Sequence, residues 1–547
     1  MKNYANTLGK AASFFDAQAY HRWIDGVLLG GLMLFAFVVR VAYAGRGLPY
    51  LHHWDEPEIA FNALNIIRTG DFNPYFFNYG SLTIYLNVVV DGLYRLFVRF
   101  LPPTSPAYFS SWADVRYGSS MTDFQWYLSH PAILFWNRTL TTALGALTIG
   151  VVYHLALRVA GRLAAVAGAV LLGSTLFHIE HSAYVTTDVP MAFFAACVML
   201  CVFVYLETER VRFWLLALVF CGMATAVKYN AGLVVLLPAA ALWMKRDTDA
   251  YRLWWWLLVG IVPSIAFFIS MPYALLDFPN FFSAVQYEIF HYSVQGHGKD
   301  TIEPGLTHMR FQAGQLRESF GLLALGFAGF GLIFSGRKQY GWWLAAYGLL
   351  YFLLVSQTRV SFHRNLLVVY PVLALLFGLG VQGGTRFLWK QKVWGRGVAL
   401  VVLVGIALVL GQYSTRALRV GWGMWNRVET RSQAVLAVNA QFDTSFFPTV
   451  GIASELRLHP IDVARLDGAY LVAPALELLE TPDTYDALIL PMRMIGSDGE
   501  TRSQAETIND VLKKVPATET HLITGAPMYF KLFTRDPGVM ILFGDND

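Results

Sequence analysis

The sequence predicts a mainly α-helical, polytopic membrane protein with a small soluble α/β domain at its C-terminus. Of its 547 residues, 56% are hydrophobic and only 14% are charged, which is too few charges to coat a soluble globule of this size. Apolar windows of about 17 to 22 residues, each long enough to cross a bilayer as a helix, fill most of positions 24 to 413. After about residue 415 the chain turns acidic, with twelve Lys and Arg against seventeen Asp and Glu.

About eleven segments are predicted to span the membrane. The first is interpreted as an uncleaved anchor, although it ends in Ala42-Tyr43-Ala44, which resembles a signal-peptidase site. All three cysteines lie inside apolar windows and are expected to be buried hydrophobes. The predicted spans are 24–44, 133–156, 163–179, 189–206, 213–229, 231–244, 252–271, 319–335, 341–356, 365–382 and 397–413.

Segment 81–101 is almost long enough to cross, but it contains Asn87, Asp91, Arg95 and Arg99. If it does not cross and the N-terminus is cytoplasmic, the cytoplasmic segments hold sixteen Lys and Arg, and the short outer loops hold only Lys228, Arg359 and Arg364. Because cytoplasmic loops of membrane proteins are enriched in positive charge, this orientation is favoured. We therefore expect a juxtamembrane helix on the outer face, with Asp91 and Arg95 paired four residues apart.

This topology predicts two domains in a multi-pass protein of the plasma (cell) membrane. Residues 1–414 form the transmembrane domain, with outer loops 46–130 and 272–318, and residues 415–547 form an extracytoplasmic α/β domain. In the second domain, helical patterns alternate with short β-rich runs. The predicted helices are 427–441 and 501–514, and the predicted strands are DALILP (486–491), MYFKLF (529–534) and VMILFG (539–544).

Acidic residues mark the outer end of the first span. Asp55, Glu56 and Glu58 follow it directly, and Asp188 precedes Pro190 at the outer start of another span. Such carboxylates are often only solvated loop charges. Here the loop around Asp55 is rich in aromatic residues and asparagines, a composition suited to stacking on a sugar ring and bonding its hydroxyls, so a functional role is the competing interpretation.

Two cations are expected at the same depth in the membrane as these carboxylates. Lys228 falls where two apolar runs meet on the outer side, and Arg364, with His363 beside it, begins another span. A cation at such a boundary is costly unless it is paired or hydrated, which makes both residues functional candidates. The alternatives are snorkelling for Lys228 and a headgroup anchor for Arg364. A lipid phosphate would require cations of this kind next to apolar walls.

Several segments, taken in order, resemble the membrane glycosyltransferases of the GT-C class. These segments are DEPEIAFNALNIIRTGDF, WNRTLTTALGALTIGVVYHLALRVAGRLAAVAGAVLL, HSAYVTTDVPMAFF, AVKYNAGLVVLLP and FHRNLLVVYPVLALL. The resemblance covers roughly residues 24 to 413. It is closest to the branch of protein O-mannosyltransferases and aminoarabinose transferases, which use polyprenyl-phosphate sugars.

The resemblance implies roles for individual residues. Asp55 would be the catalytic base with Glu56 as its neighbour or alternate, and Lys228 and Arg364 would contact the donor phosphate together with His363. Asp188 matches a second acidic position that orients substrate and, in some branches, helps to bind a divalent metal such as Mg²⁺ or Mn²⁺. The further candidates for binding the acceptor or forming a lid are Glu58, Tyr79, His291 and His297. The His-Pro-Pro motif usual in the family is replaced here by Asn-Tyr-Gly-Ser-Leu at 78–82, which leaves the acceptor and the branch open.

The expected function is inverting transfer of a sugar from a polyprenyl-phosphate donor to an acceptor hydroxyl on the outer face of the membrane. The acceptor is a protein, a lipid or a glycan, and no nucleic-acid partner is expected. Two alternatives remain open at this stage. One is a transporter or scramblase of lipid-linked sugars, and the other is a non-catalytic scaffold of the cell envelope that binds lipid.

Overall fold

The computed structural model of the chain describes residues 2–51, 53–105, 107–120, 125–245, 253–335, 340–391, 393–425, 428–442, 446–491, 519–523 and 539–543. The helix predicted at 501–514 and the strand predicted at 529–534 lie outside these ranges. The remaining predictions on secondary structure fall on described residues, apart from the end residues 252, 427 and 544 of three predicted elements.

The described residues are mainly helical. The helices are α1 Lys2–Ala44, α2 Asp55–Thr69, α3 Leu82–Val98, α4 Pro131–Val159, α5 Arg162–Ser174, α6 Leu176–His181, α7 Asp188–Thr208, α8 Val211–Val227, α9 Leu236–Met244, α10 Leu253–Ser270, α11 Tyr273–Leu276, α12 Phe278–Phe290, α13 Leu306–Phe334, α14 Tyr340–Val355, α15 Tyr370–Trp389, α16 Val393–Trp425, α17 Thr430–Gln441, α18 Pro460–Val463 and α19 Ala475–Leu478. The strands are β1 Tyr117–Ser120, β2 Gln125–Leu128, β3 Thr449–Ala453, β4 Ala469–Ala473, β5 Ala487–Pro491, β6 Glu519–Ile523 and β7 Val539–Phe543.

The chain divides into two compact units. Unit 1 consists of Met1–Ala44, Glu58–Arg95 and Phe135–Gly423. Unit 2 consists of Gly45–Pro57, Leu96–Leu134 and Met424–Asp547. Unit 2 therefore combines most of the predicted C-terminal domain with two segments of the outer loop 46–130.

Unit 1 is a bundle of apolar helices. Among the residues that the structure describes, seven helical stretches are long and apolar enough to cross a membrane: Trp23–Ala44, Pro131–Val159, Asp188–Thr208, Leu253–Ser270, Leu306–Phe334, His363–Trp389 and Trp394–Trp425. Four shorter apolar helical stretches, Arg162–Ser174, Val211–Val227, Tyr229–Met244 and Gly341–Val355, fall on the other predicted spans. The prediction of an integral membrane protein is confirmed.

The stretches that contain α7 and α15 lie at the centre of this bundle, since 83% of the apolar window of each is buried against 6% for α10. Close packing of α15 on α5 depends on small residues. A Cβ at Gly168 of α5 would meet the carbonyl oxygen of Ala374, and a Cβ at Gly378 of α15 would meet that of Ala164. Glycines let helix backbones approach closely where lipid supplies no hydrophobic driving force.

Two predicted spans differ from the observed helices. The segment predicted at 163–179 is not one helix, because α5 ends at Ser174 and α6 begins after Thr175. The span predicted at 319–335 is the second half of α13, which begins at Leu306 and is broken at Gly321, where φ is 70°. Glycine adopts this left-handed conformation without the steric cost that a side chain would impose.

The helix predicted within 81–101 forms as α3, but the predicted Asp91–Arg95 pair does not. Asp91 is fully buried, and neither carboxylate oxygen has a hydrogen-bond partner within standard distance limits. Asn137 of α4 lies near Asp91 and donates to Asn87 at 2.8 Å. Burial raises the pKa of Asp91 well above its usual range. The helical face was misjudged because Asn87 and Asp91 lie on the side of α3 that packs against α4.

Unit 2 contains a five-stranded mixed sheet in the order β4-β3-β5-β7-β6. Strand β3 is parallel to β4 and β5, whereas β7 is antiparallel to β5 and β6. Its apolar core includes Val435 and Val438 of α17 together with Val450 and Ile452 of β3. Strands β5 and β7 and helix α17 lie where the sequence predicts β-rich and helical patterns.

Candidate active site

A buried cluster of charges lies where three helical segments of unit 1 begin or end. Asp188 is the first residue of α7, and Lys228 follows directly on α8. Arg364 and Asn365 belong to a 3₁₀ turn, His363–Val369, that leads into α15. Lys228 is 8% exposed, Arg364 is 6% exposed and Asp188 is 1% exposed.

Lys228 and Arg364 both converge on Asp188. The Lys228 Nζ donates to Asp188 Oδ1 at 2.6 Å and to Asn365 Oδ1 at 3.0 Å. The Arg364 Nε lies 3.6 Å from Asp188 Oδ2, and its guanidinium stands 4.2 Å from the centre of the Phe362 ring. Two cations and one carboxylate carry a formal charge of +1. A desolvated cluster with this balance attracts an anion, and charge-assisted bonds to phosphate are the strong kind.

Two members of this cluster were missed by the sequence analysis. Asn365 orients the lysine, and Tyr292 interacts electrostatically with both Lys228 and Arg364. Tyr292 lies on a π-helical turn, His291–Gln295, a rare conformation that often marks functional positions. Burial raises the pKa of Tyr292, so its hydroxyl keeps its proton at neutral pH. Neither residue stands out by spacing, because each meets Lys228 only through the tertiary fold.

The loop that precedes α3 packs directly on the Lys228 turn. The hydroxyl of Tyr229 donates to the carbonyl of Phe77 at 2.6 Å and lies 3.3 Å from that of Tyr79. The N–H of Gly80 donates to the carbonyl of Val227 at 3.2 Å. The candidate residue Tyr79 therefore contacts the turn that presents Lys228 through its own backbone carbonyl.

Gly80 is the closest point of this contact and gives a testable prediction. A Cβ at position 80 would overlap the carbonyl oxygen and carbon of Ala226, which are backbone atoms and cannot rotate away. We expect Gly80→Ala to displace the Lys228 turn, to destabilise the protein by about 1–3 kcal/mol and to impair use of the donor. Thermal unfolding in detergent and an activity assay measure the two effects.

Gly92→Ala is the matched control for this prediction. A Cβ at position 92 of α3 meets nothing within 4 Å, so this change should be neutral or stabilising by up to about 1 kcal/mol. A Gly80→Ala variant as stable and as active as the Gly92→Ala variant would contradict the tight contact.

His363 does not join the cluster around Asp188. Its ring stacks on Phe177 with centroids 3.8 Å apart, and its Nε2 lies 2.8 Å from the hydroxyl of Tyr370. That hydroxyl also donates to Ser319 at 2.8 Å. His363 and Arg364 are adjacent in sequence but make different contacts, and a role for His363 as a phosphate ligand stays a prediction.

The predicted lid residues lie in a loop that is fastened to the chain just before Arg364. The N–H of Arg359 donates to the carbonyl of Tyr292 at 2.7 Å, and that of Ser361 donates to Asp300 at 2.9 Å. His297 lies 3.3 Å from His291 between ring nitrogens, and its ring meets Phe362 edge-on at 4.9 Å. Phe362 is also the ring beneath the Arg364 guanidinium, so three successive contacts link His297 to Asp188.

The predicted catalytic acids lie at the start of α2. The N–H of Asp55 donates to the Nδ1 of His53 at 3.1 Å, and the N–H of Glu56 donates to the His53 carbonyl at 3.1 Å. Glu56 is fully buried, whereas Asp55 and Glu58 are partly exposed. Of the predicted pair, Asp55 is therefore the one accessible to a substrate.

Asp188 does not fit the divalent metal that the resemblance allows. Both of its oxygens face cations, Lys228 at 2.6 Å and Arg364 at 3.6 Å, whereas Mg²⁺ and Mn²⁺ require carboxylate oxygens free to face the ion. Among the residues that the structure describes, no group of three or more His, Cys, Asp or Glu side chains could hold a metal. A dependence on Mg²⁺ or Mn²⁺ stays a prediction, and no chemical step below passes through a metal.

Comparison with solved structures gives the class of fold. The crystal structure of ArnT from Cupriavidus metallidurans bound to undecaprenyl phosphate is similar with a TM-score of 0.51 and 14% identity, over 95% of this chain and 97% of that chain. AglB from Archaeoglobus fulgidus, in complex with an inhibitory peptide and a dolichol-phosphate, gives a TM-score of 0.44 and 11% identity over 86% of this chain and 70% of that chain. The Pmt1-Pmt2 complex of S. cerevisiae bound to the sugar donor gives a TM-score of 0.32 and 21% identity over 47% of this chain and 34% of that chain.

The bundle is thus similar in fold to the GT-C class of membrane glycosyltransferases. Within that class, residues 135–246 match the family described as dolichyl-phosphate-mannose-protein mannosyltransferase. No curated protein sequence is significantly similar to the chain. The protein is a membrane glycosyltransferase, and the predicted class is confirmed.

Proposed function

We propose that the protein transfers a sugar from a polyprenyl-phosphate carrier to an acceptor hydroxyl on the outer face of the membrane, with inversion at the anomeric carbon. The observation that carries the proposal is the pair of buried cations held on Asp188, Lys228 at the end of α8 and Arg364 in the turn before α15. ArnT, of similar fold, was crystallised with undecaprenyl phosphate, which supports a lipid-phosphate donor.

The proposed reaction is a single displacement. Asp55 removes the proton from the acceptor hydroxyl, and the oxygen attacks the anomeric carbon of the donor sugar. The bond between that carbon and the phosphate oxygen breaks, and the lipid phosphate leaves with the electron pair. Lys228 and Arg364 stabilise the negative charge that develops on the phosphate. Asp188 keeps both cations in place, and no covalent intermediate with the enzyme is required.

The proposed topology has eleven membrane spans and a cytoplasmic N-terminus. Residues 1–414 would form the transmembrane domain, and the α/β domain within 415–547 would lie outside the cell with loops 46–130 and 272–318. The excess of positive charge in the alternate loops supports this orientation. Glu58, Tyr79, His291 and His297 remain candidates for binding the acceptor or covering the site.

Release of free polyprenyl phosphate from polyprenyl-phosphate sugar tests the proposed function. The purified protein in liposomes should release the lipid phosphate and transfer the sugar when an acceptor hydroxyl is supplied. Movement of intact donor between leaflets without release would instead indicate a transporter or scramblase. Binding of the donor with neither outcome would indicate a non-catalytic scaffold.

Labelling of a single introduced cysteine tests the orientation. The native cysteines Cys197, Cys201 and Cys221 are all buried, whereas Trp54 is 50% exposed in the outer loop. We expect Trp54→Cys in intact cells to react with a membrane-impermeant maleimide, because residue 54 follows the first span on the outer side. Labelling only after permeabilisation would place Asp55 in the cytoplasm and refute the outer-face reaction. The unsubstituted protein is the control.

A further inference from the structure

Within unit 2, the segment Gly45–Pro57 is held by residues of the C-terminal part of the chain. The hydroxyl of Tyr50 donates to Asp462 Oδ2 at 2.7 Å and accepts the N–H of His459 at 3.0 Å. Tyr50 is 3% exposed, His459 is 1% exposed and Asp462 is fully buried. Residues about 410 positions apart in sequence thus form a buried polar contact.

The aromatic ring of Tyr50 is held as firmly as its hydroxyl. The guanidinium of Arg431 stands 3.5 Å from the ring centre, and the His459 ring meets its edge with centroids 5.9 Å apart. Arg431 is itself fixed by Glu429 at 2.8 Å and by the carbonyl of Leu456 at 3.3 Å. A cation in this position is attracted by the negative face of the tyrosine ring.

The protonation states in this contact follow from burial. Burial raises the pKa of Tyr50 above its usual range, so the hydroxyl stays a donor to Asp462. Burial also lowers the pKa of His459, whose Nδ1 accepts the N–H of Ile461 at 3.2 Å. The neutral ring therefore carries its proton on Nε2, which donates to the carbonyl of Leu128 at 3.2 Å. Each polar group in the contact has a complementary partner.

Asp55 lies five positions after Tyr50 in the sequence. Between them lies His53, which is 1% exposed and caps the start of α2 through the N–H groups of Asp55 and Glu56. The chain from Tyr50 to Asp55 is therefore short, and both of its ends are fixed. A displacement of Tyr50 would move the cap and, with it, the first turn of α2.

We propose that Tyr50, clamped by Asp462 and Arg431, is a positioning residue that holds the Asp55 carboxylate in its reactive geometry. The inference rests on the proposed role of Asp55 and gives the C-terminal part of unit 2 a function in the reaction. It acts through the backbone of residues 50–55 and does not require Tyr50 to touch a substrate.

Tyr50→Phe and Ser432→Ala are the matched pair that tests this inference. Each variant deletes one hydroxyl that donates to Asp462 Oδ2. The Tyr50 hydroxyl lies 2.7 Å from this oxygen, and the Ser432 hydroxyl lies 2.6 Å from it. Only Tyr50 lies in the segment that leads to Asp55. Because small displacements of a reacting group can cost up to about 100-fold in rate, we expect Tyr50→Phe to lower kcat about 10-fold or more with little change in the donor KM. Ser432→Ala should retain the wild-type kcat.

A second measurement does not depend on activity. A nitroxide attached to Trp54→Cys reports the mobility of the segment between Tyr50 and Asp55, and the buried native cysteines should not react. We expect the spectrum to sharpen when Tyr50→Phe is added and to stay unchanged when Ser432→Ala is added. The same kcat in both variants, equal loosening in both, or no loosening with Tyr50→Phe would overturn the inference.

The two measurements separate failure of the inference from failure of the proposed function. If the wild-type protein releases no lipid phosphate, the proposed function fails, whereas the nitroxide spectra still decide whether Tyr50 fixes the segment. If the wild-type protein is active and Tyr50→Phe has unchanged kcat and spectra, the positioning role fails and the proposed function stands.

Discussion

Asp55→Asn is expected to abolish sugar transfer while donor binding and thermal stability stay close to wild type. The substitution keeps the size and partial exposure of the side chain but removes the group that would take the acceptor proton. Loss of a general base lowers rates by about 100- to 10,000-fold. The measurement is the initial rate of lipid-phosphate release with acceptor present, together with a direct donor-binding assay on the same preparation.

Asp467→Asn is the control for this result. Asp467 is an exposed aspartate in the same unit, and only its backbone N–H makes a hydrogen bond, to Asn439 at 3.1 Å. Its rate should match the wild type. Wild-type turnover in Asp55→Asn would remove Asp55 from the mechanism. Glu56 would not replace it readily, since its carboxylate is fully buried.

Lys228→Ala should produce the second large effect, which is loss of donor affinity. The lysine supplies an ammonium within a cluster that is nearly closed to water, and removing one partner of such a buried charge contact costs about 2–5 kcal/mol of binding. We expect the donor KM to rise by about 100-fold or more. Titration of the polyprenyl-phosphate sugar at fixed acceptor concentration measures this change.

The Lys228→Ala variant also removes one of the two positive charges that neutralise the buried Asp188 carboxylate. This loss by itself destabilises the fold by up to about 3–5 kcal/mol. The double variant Lys228→Ala with Asp188→Asn separates the two effects. It removes the buried carboxylate charge and should recover much of the thermal stability without recovering donor affinity. Recovery of both would mean that Lys228 only neutralises Asp188 and does not bind the donor.

The sequence predicted the positions of the membrane helices because their hydrophobic length is a strong local signal. It also predicted that Lys228 and Arg364 are candidate functional residues, since a cation at the end of an apolar run is costly unless it is paired or hydrated. His363 was predicted to act with them, whereas its ring contacts Phe177 and Tyr370. The orientation of the His363 ring depends on its packing against Phe177 of α6 and Tyr370 of α15. Sequence spacing does not reveal this packing.

The remaining features of the site could not be predicted because they are tertiary. Asn365 meets Lys228 across 137 positions, and the π-helical turn that carries Tyr292 has no sequence signature. The prediction of the Asp91–Arg95 pair was wrong. Helical spacing allows such a contact, but tertiary packing determines which face of the helix is exposed to solvent. In the sheet of unit 2, local β-propensity marked β5 and β7, whereas their antiparallel pairing follows from the order of all five strands.

A structure of the Asp55→Asn variant with bound polyprenyl-phosphate sugar tests the central claim most directly. The account predicts that the donor phosphate lies within charge-assisted bonding distance, about 2.7–2.9 Å, of the Lys228 ammonium and the Arg364 guanidinium. The side chain at position 55 should face the anomeric carbon from the side opposite the phosphate. A phosphate bound away from these two cations, or a position 55 remote from the sugar, would contradict the account.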